Sequence, residues 1–482
     1  MGYVTSVGME VHAELLTLSK MFCPCRNEFG GEVNTRVCPT CLGLPGSLPV
    51  VNRLAVEHVV RTALALNCSI AMRSLFHRKN YFYPDLPKGY QISQYEETNP
   101  IGFAGYLEIP AGEDALQTKR IRLRRVHLEE DTGKLMHLPS GGSGVDFNRA
   151  GVPLMEIVTD FPPDIHTPEE AREYLAQLRL LLIYLGVCDG KMEQGSLRCE
   201  PNISIALEGS ETLGVKTELK NLGSFRAVAS GIRHEQKRME EDLKRGVALR
   251  QETRRWDESA ETSHIMRTKE EEHDYRYFTD PDIPPMVFTE EYIEKMRAGL
   301  PELPMQKRRR YIGDLGLSAY DAGVLVSDRE WARTFDEAVM MGGDPKQVCN
   351  WMNGEFAKLL NEDKIAASES KVSPAHLVDL VKLVGMGGIS GKTAKDVFAL
   401  SYKTGEMPSE IVSREGLSQI SDSDSILAVI KDTISENPDA VAKFKDGKVN
   451  VKGFLVGKVL QRTKGRANAE LVNSLMEAEL SK

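Results

Sequence analysis

With 482 residues, the chain is long enough to form two or three domains. Hydrophobic residues make up 41% and charged residues 27% of the sequence, which is typical of a globular protein and excludes a disordered or fibrous chain. The net charge of −9 excludes a protein that is basic throughout. No apolar run could span a bilayer and no secretory signal pattern opens the sequence, so we expect a cytoplasmic protein without membrane association.

The first predicted element is a β-strand over residues 4–16. Its residues alternate, so that Val7, Met9 and Val11 share one face of the strand. Glu10 and His12 share the other face, about 7 Å apart along the strand. This polar face either contacts solvent or contributes to a functional site.

Four of the eight cysteines fall in one short segment after this strand. They form a C-x-C pair and a C-x2-C pair, which comprise Cys23, Cys25, Cys38 and Cys41. In a cytoplasmic protein this spacing predicts a structural Zn²⁺ site with four thiolate ligands, whereas buried free thiols are the alternative. A closed shell of four thiolates would fix a loop and would not catalyse a reaction.

Residues 78–95 concentrate aromatic rings and cations in a protein that is only 7% aromatic. The segment contains Lys79, Tyr81 and Lys88, and its two prolines exclude a helix. Cations beside aromatic rings suit phosphates and nucleotide bases. A hairpin that packs its rings on the core is the alternative interpretation.

Carboxylates stand out at two later strand-like segments. Residues 119–128 show a strand pattern, and Glu129 and Glu130 follow directly after it. Glu156 lies inside an apolar run at 152–158. A carboxylate in an apolar strand is costly to bury unless a cation or a metal meets it. Glu156 therefore either faces such a partner or faces water on an edge strand.

Strand signals nearly vanish after a proline-rich segment at residues 281–285, and helical patterns dominate beyond it. We predict three domains, with bounds 1–292, 293–408 and 409–482. A glycine-rich run at 385–393 is similar to a phosphate-binding loop, but Met386 stands where that motif requires glycine. We therefore expect a turn between two helices there.

Residues 443–466 carry eight Lys and Arg residues against one acidic residue, Asp446. This local charge predicts contacts with a nucleic-acid phosphate backbone, and a solvated basic face is the alternative. The candidate contact residues are Lys452, Lys458, Arg462, Lys464 and Arg466.

The carboxylates and His12 together suggest one kind of chemistry. Carboxylates on strands, with one imidazole, suit Mg²⁺, which is commonly held by a few carboxylates and by substrate phosphates. Lysines and Mg²⁺ would together stabilise a phosphoryl group in transfer. The residues alone thus indicate an enzyme that handles a metal and phosphate.

Several long motifs resemble the B-subunit family of the glutamyl/aspartyl-tRNA amidotransferases, and the similarity extends from end to end. The motifs are VGMEVH (7–12), RKNYFYPDLPKGYQISQ (78–94), HLEEDTGK (127–134), NRAGVPLMEIV (148–158), MEQGSLRC (192–199), ELKNLGSF (218–225) and DYRYF (274–278). The resemblance implies an α+β fold, with a mostly antiparallel-sheet cradle domain, an all-helical domain and a small helical YqeY-like tail that binds tRNA.

The resemblance also implies a ligase activity, namely ATP-dependent transamidation of Glu-tRNA-Gln, of Asp-tRNA-Asn, or of both. The enzyme would phosphorylate the misacylated side-chain carboxylate, and ammonia would then displace the phosphate. A partner A subunit would supply ammonia from glutamine, and a small C subunit would complete a heterotrimer.

By position, the resemblance implies that His12, Glu129 and Glu156 hold Mg²⁺, with Glu10 and Glu130 as further metal or base candidates. Lys79, Tyr81 and Lys88 would line the nucleotide or ammonia end of the site. The Zn²⁺ site rests on the cysteine spacing, since only part of the family carries these cysteines. Two alternatives stay open at this point, a tRNA-binding scaffold without chemistry and a metal-dependent hydrolase.

Overall fold

The computed structural model describes residues 2–95, 99–111, 117–138, 141–268, 274–419, 422–445, 448, 450–463 and 466–481. The chain divides into two compact units, Met1–Lys307 and Arg308–Lys482. The described strands all lie in the first unit, and the described elements of the second unit are helices. This confirms the predicted α+β fold, while the finer division into three domains stays a prediction.

The first unit contains the described strands, and a run of nine of them, β2 to β10, lies between its first two helices. In chain order the strands are β1 (Tyr3–Glu14), β2 (Ser69–Ile70), β3 (Arg73–Ser74), β4 (His77–Asn80), β5 (Tyr90–Ser93), β6 (Gly102–Pro110), β7 (Thr118–Glu130), β8 (Lys134–His137), β9 (Ser143–Asp146), β10 (Pro153–Thr159), β11 (Leu197–Leu207), β12 (Thr217–Lys220), β13 (Glu252–Asp257), β14 (Thr262–Thr268), β15 (Phe278–Thr279) and β16 (Met286–Val287).

The helices are spread among the strands of the first unit and form a continuous series through the second. They are α1 (Arg53–Ala65), α2 (Pro168–Leu185), α3 (Phe225–Lys244), α4 (Glu290–Ala298), α5 (Pro304–Gly313), α6 (Ala319–Val326), α7 (Arg329–Met340), α8 (Pro345–Trp351), α9 (Ala357–Asp363), α10 (Pro374–Gly385), α11 (Gly391–Thr404), α12 (Pro408–Arg414), α13 (Ser423–Glu436), α14 (Pro438–Lys445), α15 (Val451–Arg462) and α16 (Ala469–Leu480). A π-helical turn spans Met352–Phe356, and a 3₁₀ turn spans Ala367–Glu369.

A nine-stranded sheet forms the centre of the first unit, in the order β14-β13-β12-β11-β1-β10-β7-β6-β2. Neighbouring strands are antiparallel except for β12 and β13, which are parallel. The apolar face of β1 is buried in one core with apolar side chains of α1, α2 and α3. The opposite face of the sheet carries the polar side chains of β1.

The helix α2 illustrates how local sequence signals fix the ends of a helix. The hydroxyl of Thr167 accepts a hydrogen bond from the backbone N–H of Glu170, and Pro168 occupies the first turn. Gly186, at φ 68°, ends the helix in the left-handed conformation. Between these two caps, leucines at helical spacing face the core.

In the second unit, the glycine-rich run at 385–393 is a turn between α10 and α11, as expected. Ser390 caps the N-terminus of α11 by accepting a hydrogen bond from the N–H of Thr393. Farther along, α13, α15 and α16 share an apolar core that contains Ile430, Val459 and Met476. Across the described residues of both units, no helix combines the length and the apolar character that a membrane crossing requires.

Candidate active site

Three neighbouring strands of the central sheet bring the polar side chains together. His12 of β1 lies opposite Glu156 of β10, and Glu156 lies opposite His127 of β7. Because every second residue of a strand faces the same side, Glu10 joins His12 and Glu129 joins His127 on this face. The pairing register thus gathers residues that are up to 146 positions apart in the sequence.

A cavity of about 560 Å³ lies over this polar face. Of the residues predicted to form the site, six line the cavity: Glu10, His12, Lys79, Tyr81, Glu129 and Glu156. The cavity also receives side chains from β5, β11 and β12 and from the segment before β15.

His12, Glu129 and Glu156 are close enough to share one cation. His12 Nε2 lies 3.6 Å from Glu129 Oε1 and 3.8 Å from Glu156 Oε2, and one donor atom from each residue lies within 4.8 Å of the other two. One imidazole nitrogen and two carboxylate oxygens suit a hard divalent cation such as Mg²⁺, and they leave positions for water and for phosphate oxygens. The residues therefore fit the predicted metal.

His127 is a member of this cluster that sequence reasoning left without a role. Its Nε2 lies 3.1 Å from Glu156 Oε2 and 3.9 Å from Glu129 Oε2, in a buried position. Burial alone lowers the pKa of His127, but the two carboxylates outweigh burial and raise the pKa above its ordinary value. The available signal was its position two residues before Glu129, on the same face of the strand.

The carboxylates of the cluster stay ionised because of these neighbours. Burial alone raises the pKa of Glu156, but His127 and His12 outweigh burial and hold it well below its ordinary value. In Glu129 the raising effect of burial is likewise outweighed, chiefly by His127, and the pKa is lowered. An ionised pair of carboxylates is the form that binds a metal.

Glu10 lies at the other end of the same face, in a second polar group. Asn202 Nδ2 donates a hydrogen bond of 3.0 Å to Glu10 Oε1, and burial together with Glu156 raises the pKa of Glu10. Lys220 Nζ lies 2.5 Å from Glu200 Oε2 and 3.2 Å from Glu218 Oε1. Sequence reasoning assigned these side chains no role.

Lys79 and several tyrosines form another wall of the cavity. Lys79 Nζ lies 5.0 Å from the ring centroid of Tyr275, and the Tyr81 hydroxyl donates a 3.1 Å hydrogen bond to Gln91 Oε1. The rings of Tyr95 and Tyr277 stack with centroids 4.6 Å apart. Burial alone lowers the pKa of Lys79, but Glu129 and further neighbours outweigh burial and raise it, so Lys79 presents a positive charge to the cavity.

Glu130 and Lys88, which the resemblance assigned to the site, do not line this cavity, and their predicted roles stay predictions. Glu130 follows Glu129 on β7 and therefore points to the opposite side of the strand. There its Oε1 forms an ion pair with Lys88 Nζ and accepts a 2.9 Å hydrogen bond from the N–H of Ile92. Both residues line a separate cavity of about 190 Å³.

The four cysteines of the predicted Zn²⁺ site lie together beside this second cavity. Their sulfur atoms all lie within 4.8 Å of one another, and the sulfurs of Cys38 and Cys41 are 3.8 Å apart. Tetrahedral Zn²⁺ with bonds of about 2.3 Å separates its thiolate sulfurs by about 3.8 Å. The four thiols therefore fit a structural zinc ion, which would lie away from the polar face of the sheet.

The basic segment near the C-terminus is partly paired within its own unit. Lys452 forms an ion pair with Glu477, and Arg462 forms one of 2.9 Å with Glu436. Lys458 lies over the ring of Phe454, and Arg466 donates a hydrogen bond to the carbonyl of Gly416. The predicted contact residue Lys464 lies outside the described residues.

Comparison with known proteins then places the chain in a family. Residues 5–294 match the family model of the GatB/GatE catalytic domain, and residues 333–480 match that of the GatB domain. The chain belongs to the GatB/GatE family. The resemblance predicted from the motifs is confirmed.

Relatives of the same family match this GatB/GatE chain over nearly its full length. The aspartyl/glutamyl-tRNA(Asn/Gln) amidotransferase B subunit of Thermodesulfovibrio yellowstonii is 52% identical over 477 residues, which cover 99% of each chain. The protein of the same name from Thermoanaerobacter pseudethanolicus is 50% identical over 482 residues and 100% of each chain. That of Brevibacillus brevis is 49% identical over 480 residues and 99% of each chain.

Proposed function

We propose that this GatB/GatE chain carries out the ATP-dependent transamidation of Glu-tRNA-Gln, of Asp-tRNA-Asn, or of both. The observation that carries the proposal is the cluster of His12, Glu129 and Glu156 inside a 560 Å³ cavity, in a chain about half identical to amidotransferase B subunits over its full length. Protein synthesis takes place in the cytoplasm, and we place the protein there.

The chemistry requires two steps because a carboxylate has no usable leaving group. An oxygen of the aminoacyl side-chain carboxylate attacks the γ-phosphorus of ATP, and ADP leaves. Ammonia then attacks the acyl carbon, inorganic phosphate leaves, and one proton passes from nitrogen to a base. The product is the amide on the tRNA.

The charged residues of the cavity would have different roles in these two steps. His12, Glu129 and Glu156 would hold Mg²⁺, which supplies a positive charge next to the phosphate oxygens when it is bound. Lys79 is charged and faces the same cavity, so it is placed to stabilise the transferring phosphoryl group. Glu10, whose pKa is raised, is our candidate for the group that accepts the proton from ammonia.

The polar group at the Glu10 end and the tyrosine wall would contact the phosphates and the base of a nucleotide. Lys220, between Glu200 and Glu218, offers an ammonium to a phosphate chain. Tyr275 and Tyr277 line the cavity with ring faces on which a nucleoside base can stack. Lys458 and its neighbours in the tail would contact the tRNA backbone.

Ammonia would come from a partner A subunit that hydrolyses glutamine, with a small C subunit in the same heterotrimer. The chain's own isolated cysteines are poorly suited to that hydrolysis, since burial raises the pKa of Cys68, Cys188 and Cys349 to about 12. A nucleophilic cysteine needs a lowered pKa. The four clustered cysteines would instead hold a structural Zn²⁺.

The test is an amidation assay on the complex reconstituted with A and C subunits. Purified Glu-tRNA-Gln and Asp-tRNA-Asn are supplied with glutamine, and the amide is quantified after the amino acid is released from the tRNA. We expect amide formation that requires ATP and Mg²⁺ and is accompanied by one ADP per amide. Amide formation at the same rate without ATP would overturn the proposal.

A further inference from the structure

Lys20 is a buried cation that the proposed reaction does not use. In the sequence it follows β1 and precedes the first cysteine, and its side chain has an exposed fraction of 0%. Lys20 Nζ lies 3.2 Å from the carbonyl oxygen of Phe147 and 3.8 Å from the sulfur of Cys41. Within the part of the chain that the structure describes, no carboxylate lies within ion-pair distance of this ammonium.

A buried ammonium without an anion is costly, and one carbonyl oxygen does not neutralise it. The carboxylate of Glu130 in the adjoining cavity is already paired with Lys88, so the cysteine cluster is the neighbouring group that can balance Lys20. Four neutral thiols would leave Lys20 as an isolated buried charge. Four thiolates around one Zn²⁺ carry a net charge of about −2 and would themselves lack a counter-charge inside the protein.

We propose that Lys20 is the counter-ion of the four-cysteine zinc site and donates an N–H···S hydrogen bond to Cys41. The sulfur of Cys41 also accepts a 3.1 Å hydrogen bond from the backbone N–H of Cys38, so two donors converge on one ligand atom. Donors outside the ligand shell lower the charge on a thiolate and fix its position. Lys20 is thus a positioning residue for the metal and touches no substrate.

The proposal predicts a reciprocal dependence between Lys20 and zinc. If the ammonium stabilises the zinc-bound thiolates, then zinc stabilises the buried ammonium by the same free energy. Removing the charge should weaken zinc binding, and removing zinc should destabilise the chain less when Lys20 is already absent. Neither effect involves amidation, so this proposal and the proposed function can fail separately.

The first test measures zinc affinity in the full chain by competition with a chromogenic chelator. We expect Lys20→Met to raise the Kd for Zn²⁺ by about 10-fold or more, the size of effect that groups outside a metal's ligand shell have. Lys20→Arg, which keeps the charge, should lie closer to the wild type. Lys295→Met is the matched control, because it removes an exposed lysine of the same unit and should leave the Kd unchanged.

Thermal unfolding tests the reciprocal effect, which is the contribution of zinc to stability with and without Lys20. Chelation should lower the Tm of the wild type more than that of Lys20→Met. Equal shifts in both proteins, or an unchanged Kd in Lys20→Met, would overturn the proposal.

A measurement on the wild type covers the case in which Lys20→Met does not fold. Amine acylation followed by peptide mass spectrometry should leave Lys20 unmodified in the zinc-loaded protein, while Lys295 reacts. After chelation, with the circular dichroism spectrum unchanged, Lys20 should become reactive. A Lys20 that stays protected after complete zinc removal does not need the zinc site, and that result contradicts the proposal.

Discussion

At the scale of single residues, His127 contacts both carboxylates of the proposed metal site. Its Nε2 contacts Glu156 at 3.1 Å, and its Nδ1 has no hydrogen-bond partner among the described residues. Because Nε2 also lies 3.9 Å from Glu129 Oε2, the polar contacts of the buried imidazole orient two proposed metal ligands. Groups of this kind are worth about 10–100-fold in metal affinity.

We therefore predict that His127→Asn raises the Mg²⁺ concentration for half-maximal activity by about 10-fold or more, because Glu156 loses its partner. The measurement is the rate of ADP release that depends on aminoacyl-tRNA, at varied Mg²⁺. His166→Asn is the matched control, since His166 is exposed and lies outside the cavity. Equal Mg²⁺ dependence in the wild type and His127→Asn would show that His127 does not position the metal.

The carboxyl group of Glu14 leads to a prediction about how stability depends on pH. Burial, together with the Asp131 carboxylate, raises the pKa of Glu14 to about 8, whereas an unfolded glutamate titrates near its ordinary value of 4.5. Between these two values the folded chain binds more protons than the unfolded chain, so stability falls as pH rises through that window. The loss is complete above about pH 8, where both states are ionised.

Glu14→Gln mimics the protonated side chain and should remove this loss. We expect the variant to be more stable than the wild type by on the order of 1 kcal/mol or more at about pH 8.5, and nearly equal to it at about pH 4. Urea denaturation at several pH values measures the difference. A stability difference that does not change with pH would contradict the raised pKa.

At the scale of elements, β7 presents two carboxylates to opposite sides of the sheet. Glu129 faces the larger cavity, and Glu130 pairs with Lys88 beside the smaller one. Gly43, at φ +67°, lets the cysteine segment approach this pair, and a Cβ there would overlap Lys88 Cγ. The glycine is required both by its backbone conformation and by the close approach of Lys88.

Gly43→Ala should consequently destabilise the first unit by about 1–3 kcal/mol, through backbone strain and overpacking against Lys88. Part of that loss should vanish in a Lys88→Ala background, where the overlap with Cγ is absent and only the close approach to Cα and Cβ remains. A double-mutant cycle measured by urea denaturation separates the two contributions. Strict additivity of the two substitutions would mean that Gly43 and Lys88 do not touch.

At the scale of the whole molecule, the tail combines paired and unpaired cations. Lys452 and Arg462 already contact glutamates, whereas Lys458 forms no ion pair with any described residue. A cation without an acidic partner has no ion pair to give up when it binds a phosphate. Lys458 is therefore freer than Lys452 and Arg462 to contact a tRNA phosphate.

We expect Lys458→Ala to weaken tRNA binding and to reduce the slope of log Kd against log salt by about 1, while Lys452→Ala has the smaller effect. Filter binding of tRNA at several salt concentrations measures both quantities. If both variants retain the wild-type slope, the tail does not contact the tRNA backbone through these residues.

Strand alternation and motif resemblance predicted a large share of the fold and site, and strand register explains what they missed. Alternation alone placed Glu10 and His12 on one polar face, and β1 has that face. The contacts of Glu156 and Lys220 depend on which strands are neighbours, so they could not be assigned from the sequence, whereas alternation already places His127 on the same face as Glu129. Glu130 was grouped with Glu129 through the motif resemblance, although consecutive strand residues face opposite sides.

The pair Glu129 and Glu130 also provides the most direct test of the proposed metal centre. Each is replaced by glutamine in the reconstituted complex, and ADP release that depends on aminoacyl-tRNA is measured over a range of Mg²⁺ concentrations. Glu129→Gln should lower the rate by about 100-fold or more and raise the half-saturating Mg²⁺ concentration, whereas Glu130→Gln should leave the half-saturating concentration unchanged. A Glu129→Gln variant with wild-type Mg²⁺ dependence, or equal shifts in both variants, would contradict the assignment of the metal centre to His12, Glu129 and Glu156.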